Sequence, residues 1–223
     1  MTTNITQDEQ PVDYFFCLPG ENFSAEFLVA WSNTLLTLIS EQKTFMFNNL
    51  YSPIVQETRN MLLNTVGRHN GIAITNELFA GMVSPKKVVF IDNDIIWTPQ
   101  DMHKLLNSDK DIICGAYMTR DGSLACGLDE HRLQYSYLDG LTGDLEIGFT
   151  GMGFVAVKFE VLKKMKAPWF QVEYIEKDGA MQSIGEDVYF CNKARELGYS
   201  IYLDPTIRLK HMKTIGLELP RSY

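Results

Sequence analysis

The sequence predicts an α/β protein with a mixed, mostly parallel sheet that is flanked by helices. Apolar segments with strand character alternate with amphipathic helical segments through residues 14–117, which is the pattern of βαβ units. One segment, Lys87–Ile91, has the continuous apolar character of a strand in the middle of a parallel sheet. The chain has 223 residues, 45% of them hydrophobic, which is enough for one core. We therefore expect a single domain over residues 13–223, preceded by a flexible tail over residues 1–12.

The first elements of the chain are a strand, a helix and a second strand. Tyr14–Leu18 is a short apolar strand that Pro19-Gly20 ends. Thr44–Asn48 forms the second strand. The helix between them is indicated by apolar residues that recur at three- and four-residue steps and so share one face. These residues are Phe23, Phe27, Trp31, Leu35 and Leu38.

The next elements are recognised by their start signals. Ser52-Pro53 is a capping residue followed by proline at the first helical position, so a helix is predicted from there to about Val66. Thr98-Pro99 opens a further helix in the same way. A short helix is expected near residues 76–83, and Asp111–Tyr117 is the next strand.

The pattern changes after residue 118. Residues 119–150 are rich in glycine and aspartate and indicate a meander of short strands and loops. Gly198 is a C-cap signal. The later elements that we predict are a strand over residues 154–157, helices over 159–165 and 187–197, and strands over 201–203 and 207–210.

Composition excludes several classes of protein. The net charge is −8, which argues against a broad nucleic-acid surface, because such a surface needs clustered Lys and Arg. No apolar run approaches the roughly 18 residues that span a bilayer, and the N-terminus lacks the segments of a secretory signal. The four scattered cysteines indicate buried, reduced thiols. We expect a cytoplasmic protein without a membrane span.

The first candidate for chemistry is Asp92-Asn93-Asp94, which follows the most strand-like segment of the chain. Ligands of open α/β sheets bind at the carboxyl ends of the strands. Two carboxylates one residue apart can reach one Mg²⁺ or Mn²⁺ and the diphosphate that it carries. The alternative is an acidic turn that merely ends a strand.

The second candidate is Glu186-Asp187 at the start of a predicted helix. A carboxylate at a rigid helix start is suited to accept a proton from an attacking hydroxyl. Alternatively, both side chains only favour the helix N-terminus electrostatically.

Two further features lie beside predicted strands. His211 offers an imidazole that suits a manganese-like metal, and nearby Lys213 can neutralise a diphosphate. Gly151-Met152-Gly153 leads into a strand and allows the backbone to approach a bound sugar closely. The alternatives are a structural histidine and an ordinary glycine turn.

In this order, the four features resemble the GT-A glycosyltransferases. That family shows a DxD motif, a glycine-containing loop, an xED element at a helix start and a C-terminal histidine. The string GEDVYFCNKARELGYSIYLDP and the stretch ETRNMLL at 57–63 are also similar to family segments. The resemblance covers roughly residues 14–213, and the compact length resembles bacterial or phage-type members.

The resemblance implies a GT-A fold with a donor half over about 13–118 and an acceptor half over about 119–223. It implies that Asp94, His211 and Asp92 hold Mn²⁺ or Mg²⁺. Near the UDP- or GDP-sugar it places these residues: Gly20, Glu21, Arg59, Asp92, Asn93, Asp94 and Lys213. Arg59 is alternatively a surface ion pair.

The acceptor side follows from the same resemblance. Asp187 is expected to be the base of an inverting transfer, with Glu186 supporting it, although a base position alone leaves retaining chemistry open. The residues expected near a carbohydrate or other hydroxyl acceptor are Gly151, Met152, Gly153, Trp169 and Phe170. For Trp169 and Phe170 the alternative is core packing.

Three other functions remain open at this point. A nucleotidyltransferase that makes nucleotide-sugars also uses acidic residues on an α/β sheet, but Leu18–Asn22 lacks the glycine-rich, basic signature of that class. The others are a non-catalytic nucleotide-sugar or carbohydrate-binding module and a DNA-modifying glycosyltransferase. The sequence leaves the oligomeric state undetermined.

Overall fold

The protein is described by a computed structural model that covers residues 9–65, 74–128 and 131–213. The strands are β1 (Gln10–Pro19), β2 (Phe45–Leu50), β3 (Val83–Ile91), β4 (Ile95–Ile96), β5 (Ile112–Ala116), β6 (Ser123–Leu128), β7 (His131–Gln134), β8 (Leu145–Ile147), β9 (Phe149–Thr150), β10 (Phe154–Lys158), β11 (Glu173–Lys177), β12 (Ala180–Ile184), β13 (Ile201–Arg208) and β14 (Lys210–His211). The helices are α1 (Ala25–Ser40), α2 (Val55–Asn64), α3 (Pro99–Asn107), α4 (Phe159–Lys164) and α5 (Glu186–Glu196), with 3₁₀ turns at Leu78–Gly81 and Tyr135–Leu138.

Seven strands form one sheet in the order β2-β1-β3-β10-β5-β13-β8. In this described sheet five strands run in one direction, while β10 and β8 run in the other. One core contains residues of α1 and α3, and the other contains residues of α2, α4 and α5, so helices cover both faces of the sheet. The predicted mixed, mostly parallel sheet with flanking helices is confirmed.

The strand directions bring the motifs to one edge of the sheet. β1, β3 and β5 run in the same direction, so their carboxyl ends meet there. The antiparallel strand β10 starts at this edge, because Phe154 pairs with Ile91. Asp92 and the glycine loop before Phe154 therefore become neighbours although about 60 residues of chain separate them, at the edge where such sheets bind ligands.

Several predicted boundaries need correction. β1 begins at Gln10, not after a tail that ends at residue 12, because Gln10 N–H donates to Met82 O at 2.8 Å and Val12 is buried. The remainder of the predicted tail, residues 1–8, lies outside the described residues. α2 begins at Val55, because the Ser52 hydroxyl accepts from Ile54 N–H in a turn before the helix. The predicted helix end at Val66 also lies outside the described residues.

The late strands and one hairpin also differ from prediction. The two predicted strands after Gly198 are one strand, β13, whose register with β5 shifts between Asp204 and Arg208. Residues 173–184 form the hairpin β11–β12, which the sequence did not indicate. Most of its side chains are exposed on both faces, so it lacks the apolar alternation by which a strand is recognised.

Among the described residues, the structure contains no helix with both the length and the apolar character needed to cross a membrane.

Candidate active site

Asp92, Asn93 and Asp94 leave the carboxyl end of β3 in a short turn before β4. The Asn93 side chain donates to Asn22 O at 2.7 Å and packs against Gly20. A Cβ atom at Gly20 would lie 2.6 Å from the Cβ of Asn93, and the φ of Gly20 is +150°. Glycine is therefore required at position 20, and the turn is fixed against the end of β1.

Asp94 and His211 are brought together by a small antiparallel ladder. β4 follows Asp94 directly and pairs with β14, so that His211 lies opposite Ile95, and Met212 N–H donates to Asp94 O at 2.7 Å. His211 Nε2 then lies 3.0 Å from Asp94 Oδ2. Two predicted site residues separated by 117 positions are thus neighbours.

The orientation of His211 fits a cation-binding role. Its Nδ1 lies 2.6 Å from Met118 O, and because a carbonyl oxygen only accepts, Nδ1 carries the proton. In the neutral ring, Nε2 then presents a lone pair to the Asp94 carboxylate, an arrangement that a cation between them satisfies. Asp94 Oδ2 and His211 Nε2 are the two atoms that would hold such an ion, and their 3.0 Å separation is equally that of a direct hydrogen bond between the two side chains.

The third predicted metal ligand, Asp92, does not join this pair. Among the described residues, no three His, Cys, Asp or Glu side chains are arranged to hold a metal ion. Asp92 is occupied elsewhere, since both of its carboxylate oxygens lie 3.1 Å from Arg59 Nη2. Lys213 Nζ lies 2.7 Å from Asp94 Oδ2, so a positive charge already faces Asp94.

Arg59 forms the centre of a buried ion cluster. From α2, its Nη1 donates to Glu186 Oε1 at 2.8 Å and to Asp187 Oδ1 at 2.5 Å, while Nη2 donates to Asp92. The side chain is 3% exposed, and its Nε has no partner among the described residues. The alternative of a surface ion pair is wrong because the side chain is buried, whereas the expected position of Arg59 near the donor stays a prediction.

The Arg59 cluster sets the electrostatics of the xED element. Burial raises the pKa of Asp187 to about 7; Arg59 and a backbone hydrogen bond from Met152 act to lower it, and the charges of Glu186 and Asp92 act to raise it further. Asp187 keeps contact with the cavity, since its side chain is 28% exposed. A carboxylate with a pKa near neutrality is suited to take up a proton during a reaction.

The glycine loop is shaped by Tyr117, which follows β5. Gly153 N–H donates to the Tyr117 hydroxyl at 3.1 Å. A Cβ atom at Gly151 or at Gly153 would lie 2.5 or 2.7 Å from that hydroxyl oxygen. Gly153 O also accepts from Asp92 N–H at 3.0 Å. The contact with Tyr117 therefore requires glycine at both positions, whether or not the backbone of this loop also contacts a sugar.

Three residues expected near the acceptor are buried in the core. Trp169, Phe170 and Met152 are at most 1% exposed, so they offer no surface to a sugar ring. Trp169 Nε1 donates to Leu162 O, and the Phe170 ring lies 5.8 Å from the Arg59 guanidinium, as in a cation–π contact. Core packing is the correct interpretation, and Phe170 supports the ion cluster.

Two cavities meet at the Asp92–Asp94 turn. The larger, about 460 Å³, contains the ion cluster, and its lining residues include Asp94, Gly151, Glu186, Asp187, His211 and Lys213. The smaller, about 300 Å³, lies on the other side of the turn and is lined by Pro19, Gly20, Tyr51–Pro53, Val55, Thr58 and Asp92–Asp94. Glu21 lines neither cavity.

Six residues that line the larger cavity were not selected from the sequence: Tyr117, Thr119, Ala125, Arg132, Phe149 and Val188. For Tyr117 a signal existed, because it ends a predicted strand and the carboxyl ends of parallel strands share one edge. Arg132 is placed by the β6–β7 pairing within the meander, where no sequence pattern located it.

Comparisons with known proteins were made by sequence and by structure. No protein-family model and no curated protein matches the chain. Among solved structures, A197 from STIV is similar with a TM-score of 0.55 and 17% identity, over 95% of this chain and 100% of that chain. GalNAc-T7, solved with UDP, GalNAc and Mn²⁺, is similar with a TM-score of 0.50 and 10% identity, over 90% of this chain. The chain spans 44% of the GalNAc-T7 chain.

The catalytic domain of Drosophila β1,4-galactosyltransferase 7, solved with xylobiose, has a TM-score of 0.48 and 14% identity, over 92% of this chain and 71% of that chain. At these identities a likeness is informative about the fold alone. The chain therefore has the mixed α/β fold of the GT-A nucleotide-sugar transferases.

Proposed function

We propose that the protein is a metal-dependent glycosyltransferase that moves a sugar from a UDP- or GDP-sugar to an acceptor hydroxyl. One observation carries this proposal. A pair suited to a cation, Asp94 and His211, and a pair suited to proton transfer, Glu186 and Asp187, line one cavity of about 460 Å³. A metal-dependent, inverting transfer uses both pairs at once, because a diphosphate leaves while a hydroxyl attacks.

The donor side of the proposal rests on Asp94, His211 and Lys213. Mg²⁺ and Mn²⁺ sites of this kind take one or two protein ligands and complete the shell with substrate phosphates and water. Asp94 and His211 are the residues that would hold the ion, and an ion there would stabilise the charge that develops on the leaving diphosphate. Lys213 is placed to contact the same diphosphate.

The nucleoside is assigned to the smaller cavity beside Gly20. This cavity shares the Asp92–Asp94 turn with the larger one, so a diphosphate at Asp94 can connect a nucleoside on one side with a sugar on the other. Tyr51 is 57% exposed at its wall and offers a ring for a base to stack on. Asp92 lines both cavities and is proposed to contact the ribose.

Asp187 is proposed as the general base. As the acceptor oxygen bonds to the sugar C1, its proton moves to Asp187, and the bond from C1 to the diphosphate oxygen breaks. A base on the side opposite to the leaving group gives inversion at C1. Arg59 holds Asp187 in place and binds Glu186 through the same nitrogen, and Gly151 lines the same cavity.

The proposal is tested by incubating the protein with a panel of UDP- and GDP-sugars, with and without Mn²⁺, and measuring released nucleoside diphosphate. We expect metal-dependent release with at least one donor and its loss in Asp94→Ala. Undiminished release by Asp94→Ala would refute the site. Pyrophosphate release from a nucleoside triphosphate and a sugar phosphate would indicate a nucleotidyltransferase, and binding without turnover a non-catalytic module.

A further inference from the structure

Tyr117 is a buried tyrosine in the wall of the larger cavity. It follows the carboxyl end of β5, is 8% exposed and lines the cavity together with Asp94, Asp187 and His211. On one side the ring packs edge-on against the imidazole of His211, with centroids 5.2 Å apart. On the other side its hydroxyl contacts the Gly151–Gly153 loop.

The Tyr117 hydroxyl accepts a hydrogen bond but donates none within the described residues. Its oxygen accepts from Gly153 N–H at 3.1 Å. Within residues 9–65, 74–128 and 131–213, no hydrogen bond donated by this hydroxyl is found. Because Gly153 fixes the oxygen and Tyr117 lines the cavity, the O–H is available as a donor to a ligand there.

We propose that the Tyr117 hydroxyl donates a hydrogen bond to the transferred sugar and selects among donor sugars. The inference rests on the proposed function, because the reacting sugar must lie between the diphosphate at Asp94 and the base Asp187. Tyr117 lines the same cavity as both groups and packs against His211, the neighbour of Asp94. A buried hydroxyl that is paired by the correct sugar and left unpaired by a wrong one discriminates strongly between them.

A purely structural role of Tyr117 makes a different prediction. If the hydroxyl only holds the loop through Gly153, its removal would disturb the whole site. The binding of nucleoside diphosphates and of nucleotide-sugars would then weaken to the same extent. If it contacts the sugar, only ligands that carry the sugar are affected. The comparison between the two ligand types therefore separates the roles.

The test uses Tyr117→Phe, which keeps the ring against His211 and removes only the hydroxyl. Calorimetric titrations with Mn²⁺ would compare UDP-glucose, UDP-galactose, UDP-N-acetylglucosamine and GDP-mannose with UDP and GDP. We expect affinity for the preferred nucleotide-sugar to fall about 3- to 10-fold, the range of one neutral hydrogen bond, while affinity for the free nucleoside diphosphate stays within about 2-fold.

A second measurement remains informative even if the Tyr117→Phe substitution perturbs the folded structure. Deoxy analogues of the preferred donor are titrated into the wild-type protein and into Tyr117→Phe. Removal of one particular sugar hydroxyl should weaken binding to the wild type and have no effect on binding to the variant. The inference is overturned if Tyr117→Phe loses affinity equally for nucleotide-sugars and for nucleoside diphosphates. It is also overturned if each deoxy analogue loses the same affinity in the variant as in the wild type. If the wild type binds neither the nucleotide-sugars nor the nucleoside diphosphates, the proposed function fails, and this outcome differs from both of those that overturn the role of Tyr117.

Discussion

Replacing Arg59 with methionine removes the cation that three carboxylates share. Arg59 lies 2.8 Å from Glu186, 2.5 Å from Asp187 and 3.1 Å from Asp92, and its side chain is 3% exposed. Because Arg59 is buried, water has little access to the position of its guanidinium. Removing one partner of a buried ion pair costs about 3–5 kcal/mol. We therefore expect Arg59→Met to lower the free energy of unfolding by about 3–5 kcal/mol at about pH 8.5.

The penalty should depend on pH through Asp187. Burial raises the pKa of Asp187 to about 7 even though Arg59 lowers it, so the pKa rises further in the variant. A carboxyl whose folded pKa exceeds its unfolded value of about 3.9 binds more protons when folded, and stability falls as pH rises through the folded pKa. The penalty should therefore be smaller at about pH 5.5, where Asp187 is protonated, than at about pH 8.5.

Urea denaturation followed by circular dichroism at the two pH values measures this difference. Arg132→Met is the matched control, because Arg132 is 48% exposed and its ion pair with Asp121 spans 3.9 Å. The control should change stability by less than about 0.5 kcal/mol. A penalty for Arg59→Met below about 1 kcal/mol at the higher pH, or one of equal size at both, would refute the role of Arg59 as the shared counter-ion.

Three further predictions follow from the geometry. Because Asp187 must be unprotonated to act as a base, the transfer rate should fall about tenfold per pH unit below about pH 7. Asp187→Asn should lower the transfer rate about 10²–10⁴-fold. Steady-state rates that do not change with pH would argue against this base. Gly151→Ala places a Cβ 2.5 Å from the Tyr117 hydroxyl, so calorimetry should show a drop in melting temperature that is smaller in a Tyr117→Phe background, whereas equal drops would contradict the contact. Trp169→Ala should cost about 3–5 kcal/mol in urea denaturation, since the ring is fully buried, and a cost below about 1 kcal/mol would speak against core packing.

The positions in the fold of the residues proposed to bind the donor could be inferred from the sequence. Lys87–Ile91 has the apolar character of a central strand, and the residues that follow such a strand lie at the binding edge of the sheet. This reasoning placed Asp92 and Asp94 correctly at that edge. It did not reveal the β4–β14 ladder, because pairs of only two residues have no periodicity to detect.

The roles of buried residues could not be inferred in the same way. Trp169 and Phe170 suit a sugar platform and a core equally well by composition, and only their complete burial decides between the two. The bond between Arg59 and Asp187 joins positions 128 residues apart. Such pairing depends on how α2 and α5 pack on the sheet, which no local pattern records.

The central claim is that Asp94 serves the donor while Asp187 serves the acceptor within one cavity. Titration calorimetry of the preferred nucleotide-sugar with Mn²⁺, for the wild type, Asp94→Ala and Asp187→Asn, tests it most directly. We predict that Asp94→Ala weakens donor binding at least about tenfold, whereas Asp187→Asn binds the donor within about threefold of the wild type and transfers sugar about 10²–10⁴-fold more slowly. Equal donor affinity in Asp94→Ala and the wild type, or full transfer by Asp187→Asn, would contradict the assignment.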